Sequence, residues 1–212
     1  MKLTNFQNQL LAAIGQSDLA RYFYWIGGTL LSAQYLQHRL SEDLDFFSDD
    51  LIQEEVVLMH MQNIKRSLKL TGMNQRTHLN RQQYQFVYFP FPSVIKPKKV
   101  APWPVRVATL KDIAVNKIFA LYERGEPKDA IDLYCICKEK TWSIKQLANL
   151  ASKKFGIDID RAKLASQAFE AASQLSKIKP LLIKEKNIAK LKENIELLFS
   201  FSGSKYLSTL LV

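Results

Sequence analysis

No apolar run in the sequence approaches the roughly 18 residues that a membrane-spanning helix requires. The first residues, "MKLTNFQNQLLAAIGQ", carry a lysine but neither an unbroken apolar core nor a small-residue cleavage site. They read as an amphipathic helix rather than a signal peptide, so a cytoplasmic location without a membrane partner is the default expectation. Cysteine is scarce. The two present, Cys135 and Cys137, are separated by one residue, which is not the two-residue spacing of a redox or zinc pair. They are expected on a helix, reduced and structural. The three histidines, His38, His60 and His78, show no metal-ligand spacing, and His38 is expected at the surface. Acidic residues are also in short supply: 20 against 30 lysines and arginines, a net charge of +10. Such an excess favours polyanionic partners, nucleic acid or nucleotide phosphates. A lysine-rich solvated surface or an acidic protein partner would give the same number.

What is present suits a globular protein. The chain has 212 residues, 47% hydrophobic and 24% charged, enough for one large domain or two small ones with a proper core. Apolar spacing predicts a helix over residues 4–15. "YFYWI" (22–26) reads as a buried strand, "GTLLSAQYLQ" as a helix and "EDLDFF" (42–47) as a strand with one wet face. "QEEVVLMHMQNIKRSLK" (53–69) is a helix with acids in its first turn and bases in its last. "QYQFVYFPF" (83–91) is a strand ended by its prolines. A lysine- and proline-rich connection containing "KPKKV" then leads to a short strand near 105–107. From Thr109 onward the pattern becomes helical. "TLKDIAVNKIFALYERG" has a threonine N-cap candidate and a terminal glycine, "PKDAIDLYCICKEK" opens on proline, and three further helical segments follow. The expected boundary lies near 108, with an α/β core over 1–108 and a helical domain over 109–212.

The chemistry concentrates in "WIGGTLLSAQYLQHRLSEDLDFF". A strand, a Gly-Gly break and a helix form a corner where the backbone can approach an anion and helix N–H groups can meet it. Gly27, Gly28 and Thr29 stand at that corner. Asp43 and Asp45, one residue apart on a predicted strand, would share one face. Two adjacent carboxylates repel unless a cation lies between them. Their hard oxygens suit Mg²⁺ or Mn²⁺, with substrate phosphates and water completing the shell. An unused pair on a solvated edge strand is the alternative for the Asp-x-Asp alone. Downstream, Lys117 and Arg124 are seven residues apart on one helix, and Asp129 and Asp132 share a face of the next. A lysine aimed at phosphates would offset charge developing on an α-phosphate; a salt-bridged helix pair is the structural alternative.

With "GGTLL" followed by "HRLSEDLDFF", and "NKIFALYERGEPKDAIDLY" further on, the chain resembles the polymerase-beta-type nucleotidyltransferases. More narrowly, it resembles the AbiEii/AbiGii toxin family, which includes the MenT-type toxins. The match runs in order over roughly 20–140 and rests on Gly27, Gly28, Thr29, Arg39, Ser41, Asp43, Asp45, Lys117, Arg124, Asp129 and Asp132. The resemblance implies an α+β fold, a nucleotidyltransferase-like mixed sheet flanked by helices and followed by a C-terminal helical bundle that completes the active site. It implies transfer of a nucleoside monophosphate from an NTP to an acceptor hydroxyl or phosphate, with Asp43 and Asp45 as Mg²⁺ or Mn²⁺ ligands. Lys117, Asp129 and Asp132 then belong to the catalytic group, while Gly27, Gly28, Thr29, Arg39, Ser41 and Arg124 bind the nucleotide. It further implies the toxin half of a toxin–antitoxin or phage-defence pair, with a cognate antitoxin and tRNA or another RNA as acceptor. The chain departs from the polymerase-beta pattern in two respects: neither "QYQFVYFPF" nor "PVRVAT" offers a third acid, and His38 and Arg39 precede the dyad, where Arg39 could hold a triphosphate or pair with a carboxylate. A non-catalytic nucleotide- or RNA-binding protein of the same fold, and an antibiotic-type small-molecule nucleotidyltransferase, are the rival readings.

Overall fold

A computed structural model of the protein describes residues 2–68 and 84–200. His78, Lys69 and Gln83 at the ends of two expected elements, and Phe201 at the end of the last expected helix, lie outside them. The described residues form two compact units, 2–35 with 41–68 and 84–109, and 36–40 with 110–200.

The first unit is built on a mixed sheet. Helix α1 (Asn5–Gln16) starts at a reciprocal cap: the Thr4 hydroxyl accepts from the Gln7 backbone, and the Gln7 side chain accepts from the Thr4 N–H. Leu10, Leu11 and Ile14 bury its apolar stripe. Gln7 also donates to the carbonyl of Glu42 at 2.9 Å, which ties α1 to the chain just ahead of the Asp-x-Asp. After a short helix α2 (Leu19–Tyr22), strand β1 (Tyr24–Ile26) is buried throughout. Tyr22 is therefore helical rather than part of the expected strand. Helix α3 (Gly27–Leu30) continues directly into a π-helical stretch, Leu31–Leu36. The two glycines are thus the opening residues of the helix, not a break before it. The wide turn is a departure that periodicity does not reveal, and such turns recur at functional sites.

Strand β2 (Leu44–Ser48) alternates, with Leu44, Phe46 and Ser48 buried and Asp45 and Phe47 partly exposed. Helix α4 (Glu54–Ser67) and strand β3 (Tyr84–Tyr88) follow as expected. The "KPKKV" loop hides a strand, β4 (Lys98–Lys99), paired antiparallel with β5 (Arg106–Val107). Among the described residues the strands form one five-stranded sheet in the order β3-β2-β1-β5-β4. β1 is antiparallel to β2 and parallel to β5, and β2 is parallel to β3. Ring packing fills its core: Phe46 stacks on Phe86 at 5.1 Å, Phe23 meets Phe86 edge-on, and Trp25 meets Trp103 edge-on. The lysines of β4 are exposed and blunt a sheet edge.

The second unit is helical. Helix α5 (Leu110–Arg124) joins helix α6 (Pro127–Lys140) through Gly125 at φ +58°, where a Cβ would meet the Gln167 amide at 2.1 Å. Helix α7 (Ile144–Phe155) begins at a Ser143–Gln146 capping box, and helix α8 (Arg161–Ser173) is capped by Asp160. Small residues Ala165, Ala168, Ala171 and Ala172 form the buried face of α8. A 3₁₀ segment, Leu175–Leu181, precedes helix α9 (Ile188–Phe199), whose cap is Asn187. The segment 36–40 belongs to this unit, bridging through Arg39 to Leu182. Cys135 and Cys137 lie on α6 as free thiols, and burial pushes both upward, Cys137 to about 12. Their place on a helix is the one expected, and the upward shift favours the thiol over the thiolate. No helix among the described residues is long and apolar enough to cross a membrane.

Candidate functional site

In the sheet unit, β-pairing assembles the first group of residues. Asp45 stands opposite Ile26 on β1 and opposite Gln85 on β3. The next residue after Ile26 is Gly27, at φ +89°, a region that side chains rarely adopt. A Cβ at Gly27 would lie 1.9 Å from Oδ2 of Asp45. Glycine is therefore required here twice over, for the turn and for the approach of the carboxylate to the backbone. From the other side, the Gln85 amide donates to Oδ1 of Asp45 at 2.6 Å. Asp43 is exposed and sits one residue before β2, so only Asp45 lies within the strand proper. Thr29 is fully buried, and its hydroxyl donates to Ser41 Oγ at 3.0 Å. That bond joins the helical corner to the segment carrying Asp43.

The fit of a divalent cation can be judged from these donors. Among the described residues no group of three or more His, Cys, Asp or Glu side chains is placed to share a metal ion. Asp43, exposed, and Asp45, partly exposed, offer two carboxylates. This donor set fits a cation such as Mg²⁺ that keeps several waters and takes phosphate oxygens, and it does not fit an all-protein cage.

In the helical unit, four expected site residues meet in a buried ion network with Arg124 and His38 at its ends. Asp132 on α6 is fully buried and accepts from Arg39 through Nε at 2.7 Å and Nη2 at 2.8 Å. This is the planar, two-point pairing that guanidinium favours. Lys117 on α5 reaches Oδ2 of Asp132 at 2.8 Å and Oδ1 of Asp129 at 2.6 Å. Arg124 closes the far end, donating to both oxygens of Asp129 at 2.8 and 3.2 Å. Burial alone would raise the Asp132 carboxyl, but Arg39 and Lys117 beside it hold it well below the usual range. Burial likewise opposes the charge on Lys117 and on Arg39, and their aspartates override it, raising both.

The expected surface position of His38 is overturned. Its side chain is buried, and Nε2 lies 2.6 Å from Oδ1 of Asp132. An ionised Asp132 can only accept, so Nε2 carries the proton. The physical reason is adjacency: with Arg39 drawn onto Asp132, the preceding residue is carried inward and needs a polar partner there. Arg39 pairs with the Asp132 carboxylate. The pairing of Lys117 is no exposed surface contact, because its side chain is only 12% exposed and both aspartates are at 0%.

Two participants escaped sequence reasoning. His38 carried a weak signal, its position beside Arg39. Gln85 carried one too, as the polar residue between buried Tyr84 and partly buried Phe86 on β3, but its relation to Asp45 exists only through strand register.

Comparisons with known proteins place the chain among related sequences and folds. The crystal structure of JHP933 from Helicobacter pylori aligns over 99% of this chain and 98% of that one, with a TM-score of 0.56 at 14% identity. MenT4, a nucleotidyltransferase toxin from Mycobacterium tuberculosis, aligns over 93% of this chain and 81% of its own, with a TM-score of 0.51 at 15% identity. These likenesses show a shared α+β fold. An uncharacterized protein of Aquifex aeolicus is 28% identical over 158 residues, which cover 73% of this chain and 76% of that protein. The family model for the nucleotidyl transferase AbiEii toxin of type IV toxin–antitoxin systems matches residues 9–194. With most of its length matched, the chain belongs to the AbiEii nucleotidyltransferase toxin family.

Proposed function

We propose that the protein transfers a nucleoside monophosphate from an NTP to an acceptor hydroxyl, with RNA, tRNA in particular, as the acceptor class, and that it acts in the cytoplasm as a toxin held in check by a cognate antitoxin. Family membership supports the transferase class, and the net charge of +10 supports a polyanionic acceptor. The observation that carries the reading is the Asp43–Asp45 pair: Asp43 exposed, and Asp45 fixed between Gly27 and Gln85.

In the reaction the acceptor oxygen bonds to the α-phosphorus, the bond from that phosphorus to the bridging oxygen breaks, pyrophosphate leaves and the hydroxyl proton is released. Asp43 and Asp45 are the residues that would hold Mg²⁺ or Mn²⁺, which when bound supplies neutralisation of phosphate charge. Gly27 and Gly28 let the chain lie close to phosphate oxygens. Thr29 acts on the corner's shape through Ser41, since its hydroxyl is committed there. In the helical unit, Lys117 is the cation we assign to the nucleotide. An ammonium has three donors, and two meet Asp129 and Asp132, which leaves one for a phosphate oxygen. Asp129 and Asp132 hold that ammonium in place, and Arg124 and Arg39 in turn hold those two aspartates.

Calorimetry of NTP binding tests the reading. Binding is expected with Mg²⁺ or Mn²⁺ and is expected to be lost in EDTA, because the two carboxylates otherwise repel the phosphates. Equal affinity in both conditions would remove the metal role of Asp43 and Asp45.

A further inference from the structure

The reaction above gives Gln85 no role of its own beyond its contact with Asp45. Gln85 is exposed, on β3 at the sheet edge, and an exposed glutamine has no need of a protein partner. Its amide nevertheless donates to Oδ1 of Asp45 at 2.6 Å, from the residue directly opposite in the parallel β2–β3 register. On the other side, Oδ2 of Asp45 fills the space that a Cβ at Gly27 would need. The carboxylate is therefore confined from both neighbouring strands.

We propose that Gln85 is a positioning residue that orients Asp45 for a divalent cation, and that it makes this a site of two carboxylates rather than three. The inference rests on the reading that Asp43 and Asp45 hold the cation. The choice of side chain follows from charge. A glutamate at this register would set a third carboxylate against Asp45 and repel it until a cation arrived. A lysine would orient Asp45 but compete with the cation for it. Glutamine is long enough to reach, donates, and brings no charge. The bond takes one of the roughly four lone-pair directions of a carboxylate, so orientation and cation binding are compatible. Outer contacts of this kind typically change metal affinity about 10- to 100-fold when removed.

The test is Mn²⁺ affinity, read by electron paramagnetic resonance on the full chain, with and without the α,β-methylene analogues of the four common NTPs, alongside a thermal melt. Gln85→Leu is expected to weaken Mn²⁺ binding in the presence of the analogue about 10-fold or more. Its melting temperature should be unchanged, because the residue is exposed. A merely structural role would move the melt and leave the affinity alone. Gln85→Glu is expected to bind Mn²⁺ without nucleotide at least about 10-fold more tightly than the parent, having gained a ligand. Affinity within twofold of the parent for Gln85→Leu would overturn the positioning role. Unchanged affinity for Gln85→Glu would overturn the two-carboxylate assignment, and this second variant decides the matter even if the first does not fold. Should the parent itself bind no Mn²⁺ with any analogue, the underlying metal reading fails, and the inference with it.

Discussion

The two acidic constellations of this chain are opposites. In the sheet unit, Asp43 is exposed and Asp45 is held by a neutral amide and a glycine backbone. In the helical unit, Asp129 and Asp132 are fully buried and their oxygens are met by Arg39, Lys117, Arg124 and the His38 ring. Carboxylates already neutralised by cations gain little from an incoming metal ion, and moving them would leave buried charge without partners. On the proposed reading the difference is that between a ligand site and a framework, although Asp-x-Asp and Asp-x-x-Asp look alike as strings of letters.

The comparison breaks first at Asp132. Asp132→Ala would leave Arg39 and Lys117 buried without their shared acceptor, a loss expected to destabilise the helical unit by about 3–5 kcal/mol. Chemical unfolding at neutral pH measures it, and a change below about 1 kcal/mol would mean that the network is no framework. The same residue sets an acid limb. Its folded carboxyl lies well below its ordinary value of 3.8, so the stability it contributes is full above about pH 4 and is lost as pH falls through the lowered value. Lys117 is raised above 10.5, so its share persists below that pH and is lost only as pH rises through the raised value. Between those limits the contributions of Asp132 and Lys117 should not vary with pH, and Asp132→Ala should lose the acid limb attributable to this residue.

A smaller effect marks the edge of the framework. Arg124 is 52% exposed although it pairs with Asp129. Arg124→Ala should cost no more than about 1 kcal/mol, since water screens the pair. A loss as large as that of Asp132→Ala would erase the distinction between the network's buried centre and its solvated end.

Much of this was legible in the sequence where local rules are strong. The helices beginning at Glu54, Pro127 and Ile144 were marked by charge, proline and periodicity, and the Gly27–Thr29 corner and the Asp-x-Asp stood out by residue type. What was not legible required partners distant in sequence. Gln85 meets Asp45 through strand register forty residues away. His38 turns inward because Asp132, on α6, draws in Arg39. The π-helical stretch after Leu30 and the two-residue β4 are too short for periodicity to mark. The burial of Lys117 was also hidden, since a lysine between Asn116 and Ile118 reads as an ordinary helix position.

The most direct measurement is made on Asp45→Ala, by following transfer of label from α-labelled NTPs to total RNA together with chemical unfolding of the same preparation. Loss of a metal-ligating carboxylate should lower transfer by about a hundredfold or more. Because Asp45 is only partly buried and its removal opens no core cavity, stability should change by no more than about 1 kcal/mol. Undiminished labelling by this variant, or a variant that no longer folds, would contradict the assignment of the chemistry to the sheet unit's open carboxylates.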